Sequence, residues 1–233
     1  MATPDKPGRR IARTYAVLVG LTPLIPVPFV DDIARGYFRR RLVRALAASR
    51  GETLAEADVR TLADPVGGGC LAGCLLAPLV YILKKLFRKI FFFLEWKRAI
   101  DVAAEAYHFG SLLDHALERR WLAVHEASRL RAAIDAVLAR RGTSPIDRAV
   151  REAFGRSKGA IVGAARGARN AVRGLTRRAP PEQVERALQS VERQESERVD
   201  GVAGALEAAL ADVPPGYLEE LGRLLAQELG EQG

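Results

Sequence analysis

The sequence predicts an all-α fold: a helical bundle of about seven helices, one of them a membrane-interacting helix with an apolar and a basic face. Alanine, leucine and arginine dominate the 233 residues, and all three are strong helix formers. β-branched residues never run in strand-like alternation, whereas apolar positions recur three and four apart. At 48% hydrophobic and 27% charged residues, the composition is that of a folded globular chain, long enough for one good core or two small ones.

Taken in order, residues 9–22 form a short amphipathic helix ended by Pro23, Pro26 and Pro28, since each proline disfavours helix in the residue before it. Asp31 or Asp32 caps a second helix that runs to about Arg50 and stops at Gly51. The run Thr53 to Glu56, TLAE, has the form of a capping box opening a short helix that ends near Pro65. Gly67, Gly68 and Gly69 make a loose joint. From Cys70 helix is expected to at least Phe109, with Pro78 near a kink or a true start. Ser111 then opens a helix to about Arg141, with Leu113, Leu117, Val124, Ile134 and Leu138 on its apolar side. Gly142 stops that helix, and Ser144 with Pro145 supplies the cap and first turn of the next. Pro180 and Pro181 open an acidic helix to about Asp212, and Pro214 and Pro215 precede a last helix carrying Leu218, Leu221, Leu225 and Leu229. The expected units are a membrane-associating helical domain over 1–141, a basic glycine-striped helix over 142–179 and an acidic helical tail over 180–233.

The net charge of +8 is unevenly spread. Residues 1–98 hold 17 basic and 8 acidic side chains, residues 142–179 hold 9 and 2, and residues 180–233 hold 4 and 12. A basic body with an acidic end predicts an anionic partner, with the tail competing for the same surface or meeting a protein partner. Cys70 and Cys74, the only cysteines, share one helical face with a spacing poorly suited to a disulfide. They are expected as small buried thiols in a reducing compartment, with reversible acylation as the alternative. The N-terminal run has a basic start and an apolar stretch, but prolines interrupt it and no small-x-small cleavage site follows. It is therefore expected to be retained, in an intracellular protein.

Two windows lack charge, Thr14–Val30 with 17 residues and Val66–Leu83 with 18. A spanning helix needs about 20 mostly apolar residues, and prolines break the first window while glycines shorten the second. The residues beyond Leu83 are more specific. At about 100° per residue, Lys84, Lys85, Arg88 and Lys89 fall within an arc of about 140°. Leu86, Phe87, Ile90, Phe91, Phe93 and Leu94 occupy the opposite arc, Phe92 lies inside the basic arc, and Trp96 sits near the basic side. Such a helix suits a lipid interface, with cations on anionic headgroups and phenylalanines at the acyl boundary. The alternative is a core helix with a solvated charged edge. The expected membrane-binding set is Lys84, Lys85, Phe87, Arg88, Lys89, Phe91, Phe93 and Trp96.

Gly155, Gly159, Gly163 and Gly167 recur every four residues as a smooth stripe on one helix. Arg166, Arg169 and Arg173 stand elsewhere on it as the expected contacts to an anionic partner. Four glycines cost a water-exposed helix roughly 1 kcal/mol each. This helix therefore either packs closely on a partner or folds weakly until it meets an anionic surface.

No catalytic constellation stands out. Asp101, Glu105, His108 and His115 share one helix face, and Glu105 with His108 gives half of a di-iron carboxylate signature, but a second such pair is missing. No GxxxxGK[ST] loop or dinucleotide glycine fingerprint occurs. The apolar surroundings of Cys70 and Cys74 keep a thiol inert. No enzyme activity, cofactor or metal is expected.

The segment LTPLIPVPFVDDIARGYFRRRLVRALAASRGETLAEADVRTLADPVGGG, within residues 15–75, resembles part of the helical, membrane-associated domain that follows the G domain in some Era-like bacterial GTPases. Pro26, Pro28, Asp31, Gly51 and Gly67 to Gly69 carry the likeness, and the helix after Asp32 is richer in arginine than that family's. The resemblance implies a helical, membrane-associated role and carries no catalytic residue across. The expected function is a non-enzymatic protein on the cytoplasmic face of a membrane. The alternative is a soluble scaffold or nucleic-acid binder using its arginine-rich helices, since 30 of the 36 basic residues are arginine.

Overall fold

The computed structural model describes residues 6–25, 30–64, 88–175 and 179–231. Among them are ten α-helices and no strand: α1 (Pro7–Leu21), α2 (Val30–Ser49), α3 (Glu56–Ala63), α4 (Arg88–Glu118), α5 (Ala127–Arg140), α6 (Pro145–Arg156), α7 (Lys158–Ala171), α8 (Pro181–Gln194), α9 (Ser196–Leu210) and α10 (Gly216–Leu229). The all-α expectation holds, but with more helices than about seven. Pro26, Pro28, Gly67 to Gly69, Cys70, Cys74, Pro78, Lys84, Lys85 and Phe87 lie outside the described residues, as do the side chains of Arg88, Lys89 and Phe91.

Small residues set the centre of the fold. Gly110 of α4 lies against Ala12 of α1, and Gly20 of α1 lies against Ala99 and Ala103 of α4, so the two helices run antiparallel in close contact. A Cβ on Gly20 would stand 2.7 Å from the Ala103 Cβ and 3.0 Å from Phe154. This close crossing explains why helix continues through Gly110 rather than restarting at Ser111. The glycine serves packing between helices, and α4 runs unbroken for 31 residues. The break expected near Gly110 comes instead after Glu118, where Arg120 adopts φ 56° and Trp121–Ala123 forms a 3-10 turn. Val124, expected on an apolar face, is 70% exposed in that connection.

Helix α2 runs parallel to α4, tied at three levels by Arg98–Asp31 (3.9 Å), Arg39–Glu105 (2.5 Å) and Arg50–Asp114 (2.8 Å). Helix α6 returns antiparallel along α4, with Phe154 beside Trp96. Helix α10 runs alongside the far half of α4, where Tyr217 meets His108 and Gly222 meets His115. Helix α9 packs on both α1 and α6, α7 packs on α9 and α8, and α3 closes the side formed by α2 and α5. Buried apolar residues from each of the ten helices join one cluster, from Ala12 to Leu229.

Three local expectations meet different outcomes. Gly51 (φ 74°) and Gly142 (φ 58°) adopt the left-handed backbone that a helix stop favours. At Ser144 the cap forms as expected: the Asp147 N–H donates to Ser144 Oγ at 3.1 Å, and the Ser144 N–H donates to Asp147 Oδ2 at 2.7 Å. At Thr53 no capping box forms, because the Glu56 carboxylate accepts from Arg44 (2.5 Å) and Arg60 (3.2 Å) instead. Helix α3 begins at Glu56 with Ala55 at its cap.

Candidate functional site: the apolar and basic end of the bundle

One end of the bundle gathers what the two uncharged windows of the sequence lead into. The C-terminal turn of α1 (Thr22–Leu24) contacts α2, α4 and α7, and the chain enters α2 at Val30 and α4 at Arg88. The Arg98–Asp31 contact sets the first turn of α2 beside α4 ten residues after its start. Beyond the end of α1, α4 projects with Phe93 67% exposed and Leu94 52% exposed, and Ile33 on the first turn of α2 is 40% exposed. Solvent-facing phenylalanine and leucine on adjacent positions carry an apolar transfer term of about 25 cal/mol per Å² left unrealised in water.

The residues expected to bind a membrane separate here. Phe93 is open, as an inserting side chain requires. Trp96 is partly buried, its ring edge-on to Phe154 at 6.2 Å, and the Lys158 ammonium stands 5.9 Å from its ring centroid. The tryptophan therefore braces α4 against α6 and α7, a role visible only once those helices are placed. Lys97 and Arg98 are exposed on the same turn. Arg35 lies behind them with its Nε and Nη2 buried and without a hydrogen-bond partner among the described residues. Burial, then the like charge of Arg98, lowers its pKa, while Asp32 at 3.9 Å opposes that shift.

The glycine stripe is not one helix face. Helix α6 ends at Arg156 and α7 begins at Lys158, so Gly155 and Gly159 lie on different helices; both are exposed with nothing within 4 Å of a Cβ position. The break falls where Ser157 leaves helical geometry at φ −101°, ψ 19°. Gly163 and Gly167 face the α8–α9 junction. There Arg198 lies over Gly163, and the Glu195 carboxylate occupies the space a Gly167 side chain would need. Glu195 is 5% exposed and accepts from Arg198 at 2.5 Å. Half of the stripe thus receives an ion pair from the acidic tail.

Arg166, Arg169 and Arg173 are exposed, as are Arg148 and Arg151 of α6, and none is in an ion pair among the described residues. The five arginines of α2 differ, since all are in ion pairs, Arg40 and Arg41 with Glu185 and Glu192 of α8. Elsewhere the tail meets the body through Arg13–Glu207 (2.9 Å), Arg140–Glu228 (2.5 Å) and His125–Glu231 (2.7 Å). Charge complementarity between body and tail is therefore satisfied within the chain over the α2 side and left open on α6 and α7.

The polar residues of α4 go to separate partners. Glu105 accepts from Arg39, and Asp101 is exposed. His108 is fully buried between the Ala104 carbonyl, Tyr217 and Arg141, and His115 lies edge-on to Trp121 at 5.4 Å. Among the described residues no group of three or more His, Cys, Asp or Glu side chains gathers to hold a metal. Nor, among them, is any helix long and apolar enough to cross a membrane. Compared with family models, curated proteins and solved structures, the chain matches none of them.

Proposed function

We propose that the protein is a non-enzymatic, membrane-associated helical protein that seats the α2–α4 end of its bundle on an anionic membrane surface such as the cytoplasmic face presents. The observation that carries this is the exposure of Phe93 and Leu94 on a helix end flanked by Lys97 and Arg98. An apolar tip with a basic rim suits the boundary between headgroups and acyl chains, and each cation near such a surface contributes about 1 kcal/mol. Lys84, Lys85, Arg88 and Lys89, which precede the tip in sequence, add headgroup contacts, and Phe87 and Phe91 add insertion. The likeness of residues 15–75 to the helical segment of Era-like GTPases belongs to the same proposal and supplies no catalytic role. Exposed carboxylates of the tail that lie outside any ion pair among the described residues, such as Asp200 and Asp212, serve a protein partner.

Flotation with vesicles of phosphatidylglycerol and phosphatidylcholine tests the assignment. The wild-type protein is expected to float, and the Phe93→Ser/Leu94→Ser pair to stay at the bottom. Charge reversal of Lys84, Lys85, Arg88 and Lys89 is expected to release the protein from anionic vesicles. Unchanged flotation of both variants sinks the proposal.

A second function is favoured by one observation, the open guanidinium groups of Arg148, Arg151, Arg166, Arg169 and Arg173. These would track the phosphates of a nucleic acid. Salt separates the two, because phosphate binding weakens steeply with added salt while inserted apolar groups hold.

A further inference from the structure

At the end of the bundle opposite Phe93, the first turn of α1, the last turn of α4 and the side of α10 enclose a cleft of about 610 Å³. That volume lies within the range of small-molecule sites, about 300–1,000 Å³. Its lining includes Leu112, Leu218 and Trp121, so the cleft has an apolar surface as well as charge.

The charges of the lining divide into spent and unspent groups. Asp114 accepts from Arg50 Nε at 3.0 Å and Nη2 at 2.8 Å, and Glu118 accepts from Lys6 at 3.1 Å. Arg223 is paired to Glu220. Arg9 on the α1 wall and Arg119, just past the end of α4, are exposed and lie outside any ion pair among the described residues. Glu219, the unpaired acid of the lining among those residues, stands on the α10 wall. The cleft is therefore polarised, cationic on its α1–α4 side and acidic on its α10 side.

Two neutral groups complete it. The Ser111 Oγ is buried and has no hydrogen-bond partner among the described residues, and a buried unsatisfied hydroxyl costs about 1–3 kcal/mol. That same absence shows that no imidazole activates it as a nucleophile. His115 is held below its usual pKa by burial first, then by Arg119 and opposed by Glu118. A neutral imidazole offers one donor and one acceptor.

We infer that this cleft binds a small organic phosphate, its phosphoryl group on Arg9 and Arg119 and its apolar body against Leu112 and Leu218. Two free guanidinium forks match a dianion, and Glu219 turns the phosphate away from the α10 wall. Ser111 gains the partner it lacks. This site is independent of the membrane-facing end and stands if that proposal fails.

The chain has two tryptophans, and Trp121 alone lines the cleft. In a Trp96→Phe background, titration with phenyl phosphate is expected to give a saturable change in Trp121 emission. Inorganic phosphate and benzyl alcohol, which each carry half of the chemistry, are expected to bind at least about tenfold more weakly. Arg9→Gln and Arg119→Gln each weaken phenyl phosphate by at least about tenfold, the loss of one charge-assisted contact, while Arg166→Gln leaves it unchanged. Both cleft arginines are exposed and unpaired, so their replacement leaves the fold intact. The inference is overturned by the lack of a saturable change, by equal binding of benzyl alcohol or inorganic phosphate, or by unchanged affinity in both arginine variants.

Discussion

The Arg141 guanidinium lies 2.5 Å from His108 Nδ1. Because arginine can only donate, it works against a second proton on that ring. Burial first, and then Arg141, lower the His108 pKa from 6.5 to about 4. The sign follows from linkage. Above about pH 6.5 neither state binds the proton; between 6.5 and 4 the unfolded chain takes it and the native ring refuses it. Stability contributed by the neutral ring is thus full above the unfolded pKa and lost as pH falls toward 4, by about 3 kcal/mol. The urea midpoint should fall less between pH 7.5 and pH 5 in His108→Gln than in the wild type, and an equal fall in both would refute the assignment. A second test at this scale is Gly20→Ala. Its methyl meets the Ala103 side chain and the Ala99 carbonyl, the latter at 3.1 Å, and overpacking of this kind costs about 1–3 kcal/mol. A chain of this size should lose roughly 2–4 °C in Tm per kcal/mol. At the residue scale one of three cap readings holds: Ser144 caps its helix, whereas Asp31 and Asp32 lie inside the first turn of α2, which starts at Val30, and Thr53 forms no capping box. Ser144 and Thr53 carry the same signal, yet only Ser144 keeps its acid, because Arg44 from α2 draws Glu56 away. A partner from another helix has no local trace.

Among the elements, the glycine stripe separates a spacing rule from what packing makes of it. Gly155 and Gly159 are exposed in helices with open space around them, so alanine at either should raise stability by about 0.5–1 kcal/mol. At Gly167 the same change displaces the buried Glu195 carboxylate and should lower Tm. Equal shifts at all three positions would show that the α8–α9 junction does not seat on α7. Helix starts at prolines and stops at glycines were legible from one chain segment at a time. The breaks at Ser157 and Glu195 were not, since neither residue type ends a helix by itself. Ser111 illustrates the converse: a new helix was expected to open there, whereas Gly110 beside it is the contact that lets α4 pass unbroken close to α1.

For the molecule as a whole, the charge asymmetry along the sequence was a sound guide to contact. The acidic tail meets the basic body through Arg13–Glu207, Arg41–Glu192 and Arg140–Glu228. What it could not show is which arginines stay open: the tail packs on both α2 and α7, yet among the described residues its acids pair with arginines of α2 and leave Arg166, Arg169 and Arg173 exposed outside any ion pair. Pelleted membranes washed with high salt, carbonate and then detergent would weigh the two contributions of the proposed seat. Release by detergent alone is expected if Phe93 and Leu94 insert, and release by salt if attachment is led by charge. The exposed apolar tip was partly legible, since Phe93 stood on the apolar arc, while Trp96 was drawn inward by Phe154, some 58 residues on in sequence.

Helix α4 also acts as a spacer. Its 31 residues span about 46 Å at about 1.5 Å per residue, with the apolar tip near one end and the cleft near the other. Electrostatic influence in cell-like salt decays over about 8 Å. A bilayer under the tip would therefore be many screening lengths from Arg9 and Arg119. The two ends can answer to different signals: lipid charge sets where the protein sits, while occupancy of the cleft follows the dissolved concentration of its ligand, whatever the membrane beneath is made of.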